Sequence, residues 1–292
     1  MSRQSDILLT ALAPAIWGST YIVTTEALPL GYPITLAVLR ALPAGLLLLL
    51  LTRNLPNRDW LGRVLVLGAL NFAVFWTLLF VAAYRLPGGL AATLGALQPL
   101  MVIALSFGFL GTPIRAAAVL AALAGLGGVA LLVLGPEARL DPIGVAAGLG
   151  GAASMAAGTV LSRRWQPPVS PLNFAGWQLT AGGLILAPVA LMFEPSLPPL
   201  SALNLSGLVW LGVIGAAGTY VLWFRGIARL DPGTVSMLGM MSPVTAVGLG
   251  WLWLGQALTP VQAIGAVVVL SAVWLGQAAN RTRPSPKPRP VY

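Results

Sequence analysis

The chain has 292 residues, 58% of them hydrophobic and only 8% charged. A soluble domain carries about 25% charged residues, so most of this surface must face lipid. Cysteine and histidine are both absent, which excludes disulfide frameworks, thiol nucleophiles, Cys/His metal sites and imidazole acid–base chemistry. The net charge of +9 rests on arginines and the single Lys287, scattered through short gaps between apolar runs. That distribution reads as a topology signal and not as a phosphate-binding face, so no nucleic-acid partner is expected.

Crossing a hydrocarbon core of ~30 Å takes about 20 helical residues. Ten such runs follow one another, at 7–26, 34–53, 62–84, 89–110, 113–134, 141–162, 171–193, 204–226, 232–254 and 258–279. The polar start Met1–Asp6 leads into the first run without a small-residue cleavage site, so the first helix is expected to be retained. This run carries Trp17-Gly18-Ser19-Thr20-Tyr21. Helical spacing gathers Trp17, Thr20 or Tyr21, and Thr24 on one face. Aromatic surface with interleaved hydroxyls suits a flat, amphipathic substrate, so Trp17 and Tyr21 are candidate contacts. The competing reading is a small-residue helix seam with Tyr21 at an interfacial belt.

The second run holds Arg40, a full charge well inside a span and hence a functional candidate. It could bind a substrate carboxylate, satisfy backbone carbonyls or snorkel outward. The third run offers Asn71 and Phe75, and the fourth Gln98 beside Pro99. An interior proline removes a backbone donor and clashes with the preceding turn, which frees carbonyls that need partners. Pro99 is therefore a candidate hinge, with Gln98 as a polar contact beside it. The sixth run adds Met155 and Thr159, the seventh Trp177 with Gln178 close by, and the eighth Tyr220 followed by Trp223. The ninth repeats the hinge as Ser242-Pro243, preceded by Met237 and Met241, soft side chains that repack around varied ligands. Any one of these residues alone is compatible with ordinary packing; together they outline an apolar cavity with few hydrogen-bonding groups. No Asp or Glu is placed deep in a span, which points to uncoupled transport or coupling through another group. No catalytic residue, metal site or cofactor is expected.

With both termini cytoplasmic, Arg3, Arg53, Arg58, Arg63, Arg115, Arg163, Arg164, Arg225, Arg229, Arg281, Arg283, Lys287 and Arg289 fall on the inner side. Only Arg85 and Arg139 fall on the outer side, a bias that ten spans explain under the positive-inside rule. Sliding the chain by 144 lays 80–111 over 224–255 with ten identities in 32 positions, among them Arg85 on Arg229, Gly95 on Gly239 and Pro99 on Pro243. A slide of 138 lays Pro33 on Pro171 and Arg40 on Gln178. Five is odd, so a second copy must enter the membrane from the opposite face. The expected fold is all-α and integral to the membrane, with ten transmembrane helices as two inverted five-helix repeats: 1–136, 137–280, and a disordered basic tail at 281–292. Such repeats underlie alternating access in secondary transporters.

The Trp17-Gly18-Ser19-Thr20 segment, Arg40, the Pro99/Pro243 pair and the Leu-Gly endings at 110–111 and 254–255 resemble the drug/metabolite transporter superfamily, and within it the EamA branch. Where that branch commonly has Glu after Leu-Gly, this chain has Thr112 and Gln256. Among its members the chain looks like the YddG-type aromatic amino acid exporters. That resemblance implies a cavity enclosed by helices 1, 3, 4, 6, 8 and 9, with helices 5 and 10 peripheral. It implies export of neutral and aromatic amino acids from a bacterial inner membrane, by a monomer or weak dimer whose partners are the bilayer and a small-molecule substrate. Drugs, nucleobases or other metabolites are the alternative cargo on the same fold.

Overall fold

The computed structural model describes residues 2–86, 93–133, 141–255, 257 and 259–279. Among these, ten helices are long and apolar enough to cross a membrane. They are α1 (Arg3–Ala27), α2 (Pro33–Thr52), α3 (Arg58–Gly68, a π-helical turn Ala69–Ala73, then Val74–Arg85), α4 (Thr93–Leu110) and α5 (Ala116–Val133). The second set is α6 (Pro142–Arg164), α7 (Pro171–Phe193), α8 (Ala202–Val209, a π-helical segment Trp210–Gly218, then Thr219–Arg229), α9 (Pro232–Leu238 and Met241–Leu254) and α10 (Pro260–Ala279). The proposed boundary at 136/137, the tail 281–292, Gln256 and the side chain of Tyr21 lie outside the described residues.

Local chemistry sets the helix starts. Asp141-Pro142, Ser170-Pro171 and Asp231-Pro232 each place a capping side chain before a proline at the first helical position, where no backbone donor is needed. Helix α2 lacks its own cap, and Glu194 supplies one from the end of α7: its two carboxylate oxygens accept from Ile34 N and Thr35 N at 2.7 Å each. Helix α1 begins four residues before the expected boundary, because Ser2 caps it through Ser5 N. Asp6 thus lies in the first turn of α1 and is buried, near the helix end and not deep in the span.

Helix α2 packs along α7, α5 along α10, α1 against α8 and α9, and α6 against α3 and α4. Advancing every helix by five turns this set into itself: α1–α9 becomes α6–α4, and α1–α8 becomes α6–α3. The pairs rest on close backbone approach, as expected where lipid offers no hydrophobic drive between helices. At Gly18 an added Cβ would sit 2.6 Å from Ser242 O of α9; at Gly265 of α10 it would sit 2.6 Å from Leu132 N of α5. The α5–α10 pair lies to one side, touching the rest mainly through α9 and α4. Large apolar side chains such as Leu191, Phe193, Trp253 and Trp274 point outward, consistent with a lipid-facing surface.

Pro14, Pro43 and Pro188 sit inside unbroken helices. Before Pro99 and Pro243, however, the bonding tightens to three-residue steps: Ala96 N to Thr93 O and Leu97 N to Leu94 O in α4, Gly239 N to Ser236 O and Met240 N to Met237 O in α9. What these two prolines share is a glycine four residues earlier, Gly95 and Gly239; an added Cβ at Gly239 would sit 3.0 Å from Ser236 O, while at Gly95 it would meet nothing within 4 Å.

Ion pairs close the same joint at each end of the bundle. At the face opposite the N-terminus, Arg85 at the end of α3 meets Asp141 at the start of α6 at 3.6 Å, both half-exposed. At the N-terminal face, Arg229 at the end of α8 meets Asp6 of α1 at 3.4 Å, and Arg225 meets the same carboxylate at 2.5 Å with both side chains largely buried.

Gly18→Ala is expected to lower the melting temperature of the purified protein, at a cost of about 1–3 kcal/mol from overpacking. Gly108→Ala, where an added Cβ meets nothing within 4 Å, should leave it unchanged or slightly raised. Equal effects of the two substitutions would contradict a tight α1–α9 crossing at Gly18.

Candidate substrate site

The two π-helical segments lie at matching places. Advancing Arg58–Arg85 by 144 gives Ala202–Arg229, so α3 and α8 correspond end to end. A π turn disturbs the regular carbonyl ladder and is often found at functional sites. In both helices a neighbouring side chain takes a carbonyl from this region: Ser154 Oγ donates to Leu70 O at 2.8 Å, and Arg40 Nη2 donates to Gly215 O at 2.7 Å.

Around Gly215 the site is aromatic. Thr219 Oγ1 donates to Gly215 O at 2.9 Å and accepts from Trp17 Nε1 at 2.8 Å, so one carbonyl anchors side chains from α1, α2 and α8. The Trp17 ring stands 4.9 Å from Tyr220 and 5.0 Å from Trp223. Tyr220 in turn meets Phe72 at 4.7 Å, and Phe72 meets Trp76 at 5.3 Å, both edge-to-face. The Arg40 guanidinium lies over Trp76, 5.3 Å from the ring centroid. Arg40 thus satisfies a backbone carbonyl instead of snorkelling outward, while its planar face stays on an aromatic ring.

Around Asn71 the site is built of amides. Asn71 Nδ2 donates to Gln178 Oε1 at 2.7 Å and to Ser162 Oγ at 3.2 Å. An added Cβ at Gly158 would overlap Asn71 Oδ1 at 2.0 Å, so glycine there is what admits the amide. Ser154, Gly158 and Ser162 are spaced by four along α6 and present one small, polar stripe to the π turn of α3.

The remaining predicted residues divide. Met155 and Phe75 pack on the same core as Trp17 and Tyr220, and Thr159 is fully buried. Gln98 starts the regular part of α4 with its Nε2 buried, and the Ser242 carbonyl faces Gly18. Trp177 lies toward the N-terminal face, where its Nε1 donates to Asn54 O at 2.7 Å and its ring meets Trp60 at 6.4 Å. Met237 packs in a separate cluster against Gly276 of α10, and Met241 is partly buried. Phe72, Trp76 and Thr219 were not singled out by sequence reasoning as contacts. The 144-residue correspondence held the signal for two of them, since it lays Trp76 on Tyr220 and Thr219 on Phe75; Phe72 falls on Ala216 and had none.

Trp17→Phe and Thr219→Val each remove one partner of the same hydrogen bond. The double variant should be less destabilised than the sum of the single ones by about 1 kcal/mol. A thermodynamic cycle on reversible unfolding checks this, and strict additivity would deny the bond an energetic role.

Comparison with known proteins agrees with this architecture. The model of the EamA-like transporter family matches twice, over residues 4–134 and 142–276. Protein PecM of Dickeya dadantii (strain 3937) is 46% identical over 268 residues, covering 91% of this chain and 90% of that protein. The uncharacterized inner membrane transporter YedA of Escherichia coli (strain K12) is 31% identical over 268 residues, covering 89% and 86%. One crystal structure superposes with a TM-score of 0.81 at 24% identity, covering 96% of this chain and 99% of that one, which shows a shared fold. A multi-pass bundle of ten apolar helices, matched in both halves by one transporter family, makes this chain a membrane transporter and a member of the EamA-like transporter family.

Proposed function

We propose that the chain exports neutral and aromatic amino acids by alternating access, through halves 1–136 and 137–280 inserted in opposite orientation. The observation that carries this reading is the aromatic wall of Trp17, Tyr220, Phe72 and Trp76 with one guanidinium, Arg40, lying on its edge. Flat rings stack on such a wall, and a planar guanidinium suits the carboxylate every amino acid carries. The arginine-rich N-terminal face supports a cytoplasmic location for both ends, in a bacterial inner membrane. This reading requires no more than a monomer or weak dimer.

The self-mapping of the helix pairs supports two equivalent packings of the halves, with the breaks before Pro99 and Pro243 as the flexing points. Under this reading each face carries its own ion-pair latch. The Asp6 pair with Arg225 and Arg229 holds the N-terminal face shut, and the looser Arg85–Asp141 pair belongs to the opposite one.

Protein reconstituted in liposomes should exchange labelled tryptophan or phenylalanine, and Arg40→Gln should reduce that flux at least tenfold. Flux no greater than in empty liposomes, for every amino acid tried, would sink the cargo assignment. The latch has a separate check, helped by the absence of native cysteine. In an Ala13→Cys background, a buried position on α1, Asp6→Asn should speed maleimide labelling severalfold; an unchanged rate would count against a latch.

A further inference from the structure

Several buried hydroxyls in the helices bond back to their own backbone: Thr10 to Asp6 O at 2.6 Å and Thr219 to Gly215 O at 2.9 Å. Thr159 does not. Its Oγ1 is fully buried and has no partner among the described residues, and the same holds for Asn71 Oδ1 and Gln178 Nε2. All three belong to the region where α3, α6 and α7 meet. Asn71 bonds Gln178 directly, and Thr159 follows Gly158, the residue against which the Asn71 amide lies. Flipping both amides would exchange their roles and still leave one donor and one acceptor unused. Unpaired polar groups buried in a lipid-facing bundle are costly, and each one calls for a reason.

The internal repeat supplies one. Arg40 of α2 corresponds to Gln178 of α7, and each reaches the π-helical region of the helix across from it: Arg40 to Gly215 of α8, Gln178 to Asn71 of α3. Trp17 corresponds to Met155 and Tyr21 to Thr159 by the same 138-residue step. Gln178 therefore occupies in one half the place that Arg40 occupies in the other, while the aromatic rings of Phe72, Trp76 and Tyr220 join the two. Where the Arg40 side offers a cation, the Gln178 side offers an uncharged donor beside an uncharged acceptor.

We propose that Asn71, Gln178 and Thr159 form a second recognition point on the substrate path, selective for an uncharged group that both donates and accepts a hydrogen bond, such as a carboxamide or lactam edge. This deepens the reading of the chain as a carrier of flat aromatic molecules and rests on it. The amide cluster sets tolerance for neutral cargo, and Arg40 sets tolerance for carboxylates. A site that hydrogen-bonds a substrate group discriminates strongly against an analogue lacking it, because its own polar groups are then left unpaired.

The test uses two flat probes of nearly equal shape, indole-3-acetamide and indole-3-acetate, as competitors of labelled tryptophan flux in proteoliposomes of the full chain. Thr159→Val keeps the shape of the side chain and deletes the unpaired hydroxyl. It should leave the melting temperature unchanged or raised, yet weaken inhibition by the acetamide about tenfold, with the acetate changed less than threefold. Gln178→Met should do the same to the probes, and Arg40→Gln, read by the thermal shift that each probe gives and not by flux, should reverse the pattern. Equal weakening of both probes by Thr159→Val and Gln178→Met, or acetamide inhibition indifferent to both, would overturn the second recognition point and leave the carrier reading standing. Failure of both probes and of labelled tryptophan on the unaltered protein would remove the aromatic cargo, and the amide assignment with it.

Discussion

A chain in hydrocarbon must satisfy its own backbone, because lipid can neither donate nor accept a hydrogen bond. Regular helices meet that demand internally, so every departure from regularity needs a side chain to answer it. The two π-helical segments are such departures, and each is answered from outside its own helix. Arg40 reaches Gly215 O, assisted by Thr219 within the helix, and Ser154 reaches Leu70 O. The polar residues of the site are thus drawn to the bundle centre by the need to close irregular backbone. The side-chain functions that remain there, the aromatic faces and the unused amide valences, are what the scaffold can present to a ligand.

The scaffold is more symmetric than its contents. Helix pairs map onto one another under a step of five, α3 and α8 correspond end to end, and the ion pairs recur at both faces. Corresponding positions nevertheless hold chemically unlike residues: Arg40 against Gln178, Trp17 against Met155, Thr219 against Phe75. Under the proposed alternating-access cycle, two interchangeable packings would require matched backbone geometry, and the aligned glycines and prolines supply it. Side-chain identity at the centre is under no such demand. A single substrate with distinct ends is better served by two unlike half-sites than by two copies of one.

Ten spans were legible because apolar length is a local property, and most observed boundaries fall close to the sequence-derived ones. The correspondence of Arg85 with Arg229 and of Pro99 with Pro243 was legible because glycine, proline and arginine are rare enough in apolar helices to align meaningfully. The change of step from 138 to 144 also has a structural origin. It falls after the α2–α7 correspondence, where α7 runs on to Phe193 and is followed by Glu194, whose carboxylate returns to cap α2. Long-range partners stayed hidden. Nothing near Asp6 in sequence announces that Arg225 and Arg229 will pair with it, nor that Asn54 O will take the Trp177 indole N–H. Met237 looked like a cavity residue by type, but its register on α9 turns it toward α10. The π-helical segments have no compositional mark, and only their matched positions in α3 and α8 single them out.

The unequal ion pairs bear on how a carrier of this design would be balanced. A half-exposed pair at 3.6 Å, such as Arg85–Asp141, contributes on the order of 1 kcal/mol or less, because water competes for both charges. Asp6 is different, since two guanidinium groups converge on a carboxylate that has little water around it. Breaking such a pair is costly mainly because the stranded charges must be rehydrated. In the proposed cycle, opening the N-terminal face would supply that water as the joint parts, which lowers the cost where it arises. Two states stay interconvertible only if their energies differ by a few kcal/mol. In that proposed cycle a strong pair is tolerable at the arginine-rich face because parting it also exposes it, which would place the energetic asymmetry at the joint and away from the substrate.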